Sequence, residues 1–208
     1  MVSLGAGFDN IEEQQTQLGA DLRGRLPLDS LLKWGAVFED STLTVTFLDP
    51  DVMFESGSAE LQEEFKATLN SFFPIWLATF IGDEQRRDFV RELHVEGHTS
   101  SEWEDLEGMP AYLQNMALSQ ARALSVLDYV IRLPISQVNW DPWLRERITA
   151  SGFSSSRVKF TSGGLEDRRQ SRRVEFRVVT SAADRLRALF EDDGDFFIGT
   201  RNDTDGQN

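Results

Sequence analysis

Apolar residues alternate with polar residues in four short segments of this chain, at 43–47, 91–97, 148–152 and 173–178. Between the first two segments, and again from 115 to 133, apolar residues instead recur at helical spacing. A period of two predicts strands with one buried face, whereas spacings of three and four predict amphipathic helices. The alternating order, without a Gly-rich phosphate loop, predicts an α+β sandwich in which a mixed sheet carries helices on one face.

The patterns divide the chain into three parts. Residues 1–41 are polar and mixed, with a Gln/Glu-rich stretch at 11–17, and predict a partly helical connector. Residues 42–192 hold the strand and helix patterns and predict the domain itself. Residues 193–208 are acidic and rich in Gly, Asp and Asn, which predicts a disordered tail.

The charge balance excludes several classes of partner. The formal net charge is −14, whereas a nucleic-acid-binding protein gains affinity from a basic face. The chain has no cysteine, which rules out disulfides and thiolate metal sites. No apolar run approaches the ~20 residues that a membrane-spanning helix needs.

The first residues do not have the pattern of a signal peptide, since no basic segment precedes an apolar one. We interpret the sequence as the soluble part of a longer, membrane-anchored or exported protein. A complete cytosolic protein is the alternative.

Four sequence segments follow one another in an order that is typical of one domain family. They are 54–61 (Phe-Glu-Ser-Gly-Ser-Ala-Glu-Leu), 95–99 (Val-Glu-Gly-His-Thr), 115–123 (Asn-Met-Ala-Leu-Ser-Gln-Ala-Arg-Ala) and 168–175 (Arg-Arg-Gln-Ser-Arg-Arg-Val-Glu). In this order they resemble the OmpA-like (OmpA/MotB C-terminal) peptidoglycan-binding domain family over roughly residues 42–180. Any one segment would be weak evidence, but the order of all four indicates the fold.

The resemblance implies a noncatalytic module that binds the peptide stem of peptidoglycan, chiefly its diaminopimelate residue, in the periplasm. It leaves several settings open: a MotB-like stator, a Zorya-type phage-defence stator, an outer-membrane porin or a lipoprotein. In a stator, a missing N-terminal segment would pair with a MotA-like channel subunit, and a homodimer would fit the family. No cofactor is implied.

The resemblance also implies a binding site on the helix predicted from residue 115. Arg122 matches the family's ligand-binding arginine, and a guanidinium can hold a carboxylate through two parallel hydrogen bonds. Asn115 and Leu118 lie seven and four residues earlier, so the three side chains share one helix face. The helix N-terminus adds free N–H groups that favour an anion.

The strand that ends in Gly-His-Thr contributes Thr99 and Ser100 to the implied site. The family usually has Asp directly after His-Thr, and this chain has Ser100 there. Serine supplies no charge for an ammonium group, so Glu102, Glu104 or Asp105 could return a carboxylate from a shifted position. If none does, the domain keeps the fold but has lost wall binding and serves as a protein-interaction module.

Two further arginines match the family pattern near the last strand. By alternation, Arg172 shares the face of Val174 and points to the core or the rim of the site, whereas Arg173 lies on the opposite face. Arg168 lies on the preceding loop. For Arg172 and Arg168, a ligand role and an ion pair with a nearby acid remain equally open.

Metal and catalytic sites are not predicted. His94 and His98 share a strand face but lie about 13 Å apart at ~3.3 Å per residue, too far for ligands ~2 Å from one ion. His98 is instead predicted to be structural. No sequence context brings a nucleophile, a base and an orienting acid together, so an enzyme is not expected.

Overall fold

The computed structural model describes residues 4–134 and 142–198, with the side chains of the last helix described as far as residue 190. Within these residues one five-stranded mixed sheet forms the centre. Its strands are β1 (Ala36–Glu39), β2 (Thr44–Phe47), β3 (Val90–His98), β4 (Ile148–Gly152) and β5 (Arg173–Thr180).

Helices precede, connect and follow these strands. They are α1 (Leu4–Arg25), α2 (Leu28–Lys33), α3 (Pro50–Met53), α4 (Glu63–Ile81), α5 (Glu84–Phe89), α6 (Gly108–Ile131), α7 (Pro142–Arg147), α8 (Arg168–Ser171) and α9 (Ala182–Ile198). No helix among the described residues is long and apolar enough to cross a membrane.

The strand order is β1-β2-β5-β3-β4, and only the β3–β4 pair is parallel. A parallel pair needs a long crossover, which here contains α6. The central strand β5 pairs with β2 on one side and with β3 on the other, with Phe176 opposite both Val45 and Val95. The predicted α+β class, with a mixed sheet and helices on one face, is confirmed.

An aromatic cluster joins the sheet to α4. The ring of Phe176, fully buried on β5, lies 5.0 Å from the ring of Phe72 and 5.4 Å from that of Trp76. Phe47 on β2 adds a ring 5.1 Å from Phe72. Edge-to-face contacts of this kind add to the stabilisation from burial of apolar surface, so this cluster anchors α4 on the sheet.

Two glycines let α6 approach the sheet closely. A Cβ on Gly97 of β3 would lie 2.3 Å from the carbonyl oxygen of Ser119, and one on Gly152 of β4 would lie 2.3 Å from the backbone nitrogen of Gln120. Any side chain at either position would push the helix away. This contact explains the glycine in the Gly-His-Thr segment, and it positions the helix that carries the candidate site.

The sheet and its core begin before residue 42, where the sequence placed the start of the domain. Strand β1 pairs with β2 through residues 36–39. The α1 side chains Leu18 and Leu22, and Leu26 just after the helix, are buried in the same core as the sheet. The apolar residues of α1 form a weak pattern, so its buried face can be recognised only from the elements that pack against it. At the other end, α9 continues to Ile198, beyond the predicted limit of 192, and residues 199–208 lie outside the described part.

Two helix starts differ from what the sequence predicts. Ser58 has the residue type and the position of a helix cap, but α4 begins five residues later, at Glu63, and Ser58 Oγ accepts a hydrogen bond from the Glu60 N–H. Helix α6 begins at Gly108 rather than near Asn115, so that Asn115 lies in its third turn. The free N–H groups of the helix N-terminus are therefore not beside Asn115.

Candidate functional site

A pocket opens between the 50–57 segment, the 99–104 segment and the first half of α6. Six of the seven sequence-predicted site residues line it: Thr99, Ser100, Asn115, Leu118, Arg122 and Arg172. The seventh, Arg168, is exposed and does not line it. The residues come from the segment directly after β3, from α6 and from the position directly before β5, so only the tertiary fold brings them together.

The buried stripe of α6 is polar where it faces the pocket and apolar further along. Asn115, Ser119 and Arg122 are buried between residues 115 and 122, and Val126 and Val130 follow them. Burial of polar groups is tolerated only when they are hydrogen-bonded. The Asn115 Nδ2 group donates to the Glu102 carbonyl at 3.1 Å, which fixes the 99–107 segment against the helix.

Arg122 is held by the backbone of the 54–61 segment. Its Nε donates to the Ser58 carbonyl at 2.8 Å, and an Nη donates to the Glu55 carbonyl at 3.3 Å. Its guanidinium carbon lies 4.7 Å from the centre of the Phe54 ring. Burial, together with the charge of Arg172, lowers the pKa of Arg122 to about 10, so the side chain stays a cation at neutral pH.

Arg172 places a second guanidinium at the same pocket. Its Nε is buried and has no hydrogen-bond partner, and no ion pair involves Arg122 or Arg172 within the described ranges 4–134 and 142–198. Neighbouring Arg173 points to the other face, as predicted, and its Nε lies 2.6 Å from Glu175 Oε1. Two cations without a carboxylate between them make this wall of the pocket a site for an anion.

Thr99 and Ser100 are both buried at the floor of the pocket, each about 3% exposed. The backbone N–H of Thr99 donates to the Ser154 carbonyl at 3.0 Å, which extends the β3–β4 pairing beyond the strand ends. The Thr99 hydroxyl is buried without a hydrogen-bond partner. A buried hydroxyl of this kind is costly unless a ligand or a water satisfies it.

Carboxylates line the pocket as well. Asp51, Glu102 and Glu104 reach it, whereas Asp105, the third acid considered from the sequence, does not. Glu102 forms an ion pair with Arg168 at a distance of 2.9 Å. Arg168 therefore contacts the 99–104 segment rather than the pocket. The pocket therefore has a cationic wall and an acidic rim, an arrangement that suits a ligand with groups of both signs.

Two of the lining residues that the sequence did not predict bear on the chemistry of the pocket. Asp51 lies on the short helix α3, and Phe54 stacks on Arg122. Phe54 belongs to a segment that was singled out as a family match, so that segment was the available signal. No local pattern pointed to Asp51, because only the tertiary fold places α3 beside the pocket.

A second group of charged residues, mostly buried, lies on β3 and β5, outside this pocket. Glu96, His98 and Glu175 bring one ligand-type atom each within 4.8 Å of one another, although the spacing of His94 and His98 had argued against a shared ion. The Nε2 atom of His98 lies 3.5 Å from a carboxylate oxygen of each glutamate. The ring of His98 also stacks on that of Phe153.

Arginines already balance the charge of this group. Glu96 pairs with Arg157 at 3.1 Å and also with Arg177, while Glu175 pairs with Arg173 at 2.6 Å. Burial alone would raise the pKa of Glu175, but His98 and Arg173 outweigh it and hold the pKa at about 2. The arrangement indicates an ion-pair network that ties β3, β5 and the 153–172 loop together.

Comparisons with known proteins agree with this geometry. The model of the OmpA family matches residues 53–173, which include every residue that lines the candidate site except Pro50 and Asp51. The chain belongs to the OmpA family, whose domains are noncatalytic modules, and it shares the fold of a MotB-like protein.

Three individual proteins are similar to this chain. The chain is 37% identical over 163 residues to the Zorya protein ZorB of Escherichia coli, covering 78% of this chain and 68% of the relative. Among solved structures, a MotB-like protein from Desulfovibrio vulgaris has a TM-score of 0.53 at 23% identity, over 82% of this chain and 94% of that one. The cell wall anchor of the T6SS from Pseudomonas aeruginosa has a TM-score of 0.50 at 26% identity, over 76% and 96%.

Proposed function

We propose that this domain binds the stem peptide of peptidoglycan, chiefly through diaminopimelate, and thereby anchors an envelope protein or a motor stator to the cell wall. The observation that carries the proposal is the pair of guanidiniums, Arg122 and Arg172, that share a pocket without a carboxylate partner among the described residues. Diaminopimelate has carboxylates and an ammonium group on a short aliphatic chain, which matches a pocket with a cationic wall and an acidic rim.

The remaining lining residues fit the same ligand. The buried Thr99 hydroxyl has an unsatisfied hydrogen-bonding capacity, and the Leu118 side chain offers an apolar contact for the aliphatic chain. Binding of an anion would also offset the cost of keeping Arg122 charged while buried beside Arg172. Ser100 contributes a hydroxyl where the family usually has a carboxylate, so the ammonium group must find its partner elsewhere in the pocket.

The relatives support the cellular setting of this proposal. One similar solved structure is described as a cell wall anchor, and the similar Escherichia coli protein belongs to the Zorya system. We propose that the domain acts in the periplasm as part of a membrane-anchored stator subunit, beside a MotA-like channel subunit and as a homodimer.

The test is co-sedimentation with purified diaminopimelate-type sacculi. The wild-type protein should pellet with sacculi, and Arg172→Ala should remain in the supernatant while keeping the wild-type circular dichroism spectrum. Arg132→Ala is the matched control, because Arg132 is an exposed arginine at the end of α6 that pairs with Asp128. It should pellet like the wild type.

Failure of the wild type to pellet above a control without sacculi would contradict wall binding. That outcome would favour the interpretation of Ser100 as the mark of a domain that kept the fold and binds a protein partner.

A further inference from the structure

The acidic rim of the pocket contains a strained residue. Residues 103–106 form a tight turn in which the Leu106 N–H donates to the Trp103 carbonyl at 2.8 Å. Glu104 is the first central residue of this turn and has a φ of 31°. Asp105, the second central residue, is not among the described residues with positive φ.

A positive φ at this turn position favours glycine, because a Cβ there contacts the backbone. A glutamate in such a conformation is uncommon, and residues held this way concentrate at ligand-binding sites. The strain alone identifies no function. It shows that the fold tolerates an unfavourable residue at the point where a side chain reaches the pocket.

The other acids near the pocket are less suited to meet a ligand. Glu102 is engaged by Arg168 at 2.9 Å, and Asp105 does not line the pocket. Glu104 lines it and takes part in no ion pair within the described part of the chain. Asp51 also lines it, from the unstrained helix α3, and is the competing candidate.

We infer that Glu104 is the specificity-determining residue that accepts the ammonium group of the ligand, in the role that Ser100 cannot fill. This inference rests on the proposed binding of the stem peptide to the cationic wall. The guanidiniums of Arg122 and Arg172 hold the carboxylate, and the Glu104 carboxylate pairs with the ammonium group of the same zwitterionic residue. The turn at 103–106 thus supplies the charge from a shifted position.

The experiment compares two preparations of diaminopimelate-type sacculi, one native and one with its free amino groups acetylated. The wild type should bind the acetylated wall about fivefold more weakly, the effect of losing one solvent-exposed ion pair. Glu104→Gln should bind native sacculi about fivefold more weakly than the wild type and should show no further loss on acetylated sacculi. Asp105→Asn, the same charge change one residue along the turn, should behave like the wild type.

A second variant separates the ligand role from the strain. Glu104→Gly should raise the midpoint of thermal unfolding by about 2–4 °C, since the strain is relieved, while it weakens binding as much as Glu104→Gln. A merely structural role of Glu104 would not give a more stable protein with a weaker affinity.

The outcomes are distinguishable. If the wild type binds and Glu104→Gln keeps its sensitivity to acetylation, the inference about Glu104 is wrong while wall binding stands. Loss of that sensitivity in Asp51→Asn instead would overturn the inference and assign the role to Asp51. If the wild type binds neither preparation, both the proposed function and this inference fail.

Discussion

Arg122 and Arg172 carry like charges to one pocket, yet they are held in different ways. Two backbone carbonyls of the 54–61 segment accept hydrogen bonds from Arg122, whereas the buried Nε of Arg172 has no partner among the described residues. Arg122 therefore has a structural role in addition to any ligand role. No comparable contact holds the Nε of Arg172, and this difference allows stability and the proposed binding to be measured separately.

Arg172→Ala should abolish most wall binding without loss of stability. The change removes a charge-assisted hydrogen bond to the ligand, worth about 1.5–3 kcal/mol, but breaks no ion pair and relieves the repulsion with Arg122. We expect at least a tenfold loss of affinity for sacculi, with a free energy of unfolding within about 0.5 kcal/mol of the wild type. Urea denaturation measures the free energy of unfolding. A clear loss of stability would assign Arg172 a structural role instead.

Arg122→Ala should lose both stability and wall binding. Removal of the side chain leaves the Ser58 and Glu55 carbonyls without their donors and removes the contact with the Phe54 ring. We expect a decrease of about 2–4 kcal/mol in the free energy of unfolding, measured by urea denaturation. Arg132→Ala on the same helix should change it by less than about 0.5 kcal/mol, because an exposed ion pair contributes little. Equal effects of the two substitutions would contradict the structural role of Arg122.

The same substitution at two glycines should have opposite effects. Gly97→Ala places a Cβ 2.3 Å from the Ser119 carbonyl oxygen and forces α6 away from the sheet. We expect a loss of about 3 kcal/mol or more together with loss of wall binding, since the pocket depends on the position of α6. Gly24→Ala in α1 meets nothing within 4 Å and should stabilise the protein by about 0.5–1 kcal/mol. Thermal unfolding of both variants tests this, and a tolerated Gly97→Ala would contradict the close packing described above.

Acid should destabilise the protein through the network around Glu175. The pKa of Glu175 is lowered from 4.5 to about 2 in the folded state, so its carboxylate stabilises the fold fully above pH 4.5. That contribution is lost as the pH falls from about 4.5 to about 2, by up to 1.4 kcal/mol per pH unit for one proton. Glu96, whose pKa is also lowered by His94, His98 and Arg177 against the effect of burial, adds a second contribution of the same sign.

Glu175→Gln tests the pH dependence. It should be less stable than the wild type at pH 7, because Arg173 loses its partner, and its stability should fall less steeply below pH 4.5. Glu63→Gln, a change at an exposed helix position, should keep the wild-type slope. Urea denaturation at several pH values gives the slopes, and identical slopes for wild type and Glu175→Gln would contradict the assignment.

The sequence predicted the elements whose patterns are local. Strand β5 alternates buried apolar residues with charged ones, and the prediction that Arg172 and Arg173 point to opposite faces followed from that alternation alone. The motif order predicted the family, the mixed sheet and six of the residues that line the pocket. These features depend on period and spacing, which a sequence carries directly.

Only the tertiary structure decided how separate segments meet. The short strand β1 belongs to the sheet because it pairs with β2. The weakly patterned helix α1 belongs to the core because it packs against α4 and α9. Local pattern also could not choose among the acids of the 99–107 segment. Glu102 pairs with Arg168, Asp105 does not line the pocket, and Glu104 reaches it from a strained turn. The period of a helix or a strand is set by the backbone within a few residues, whereas these pairings depend on contacts between residues far apart in the chain.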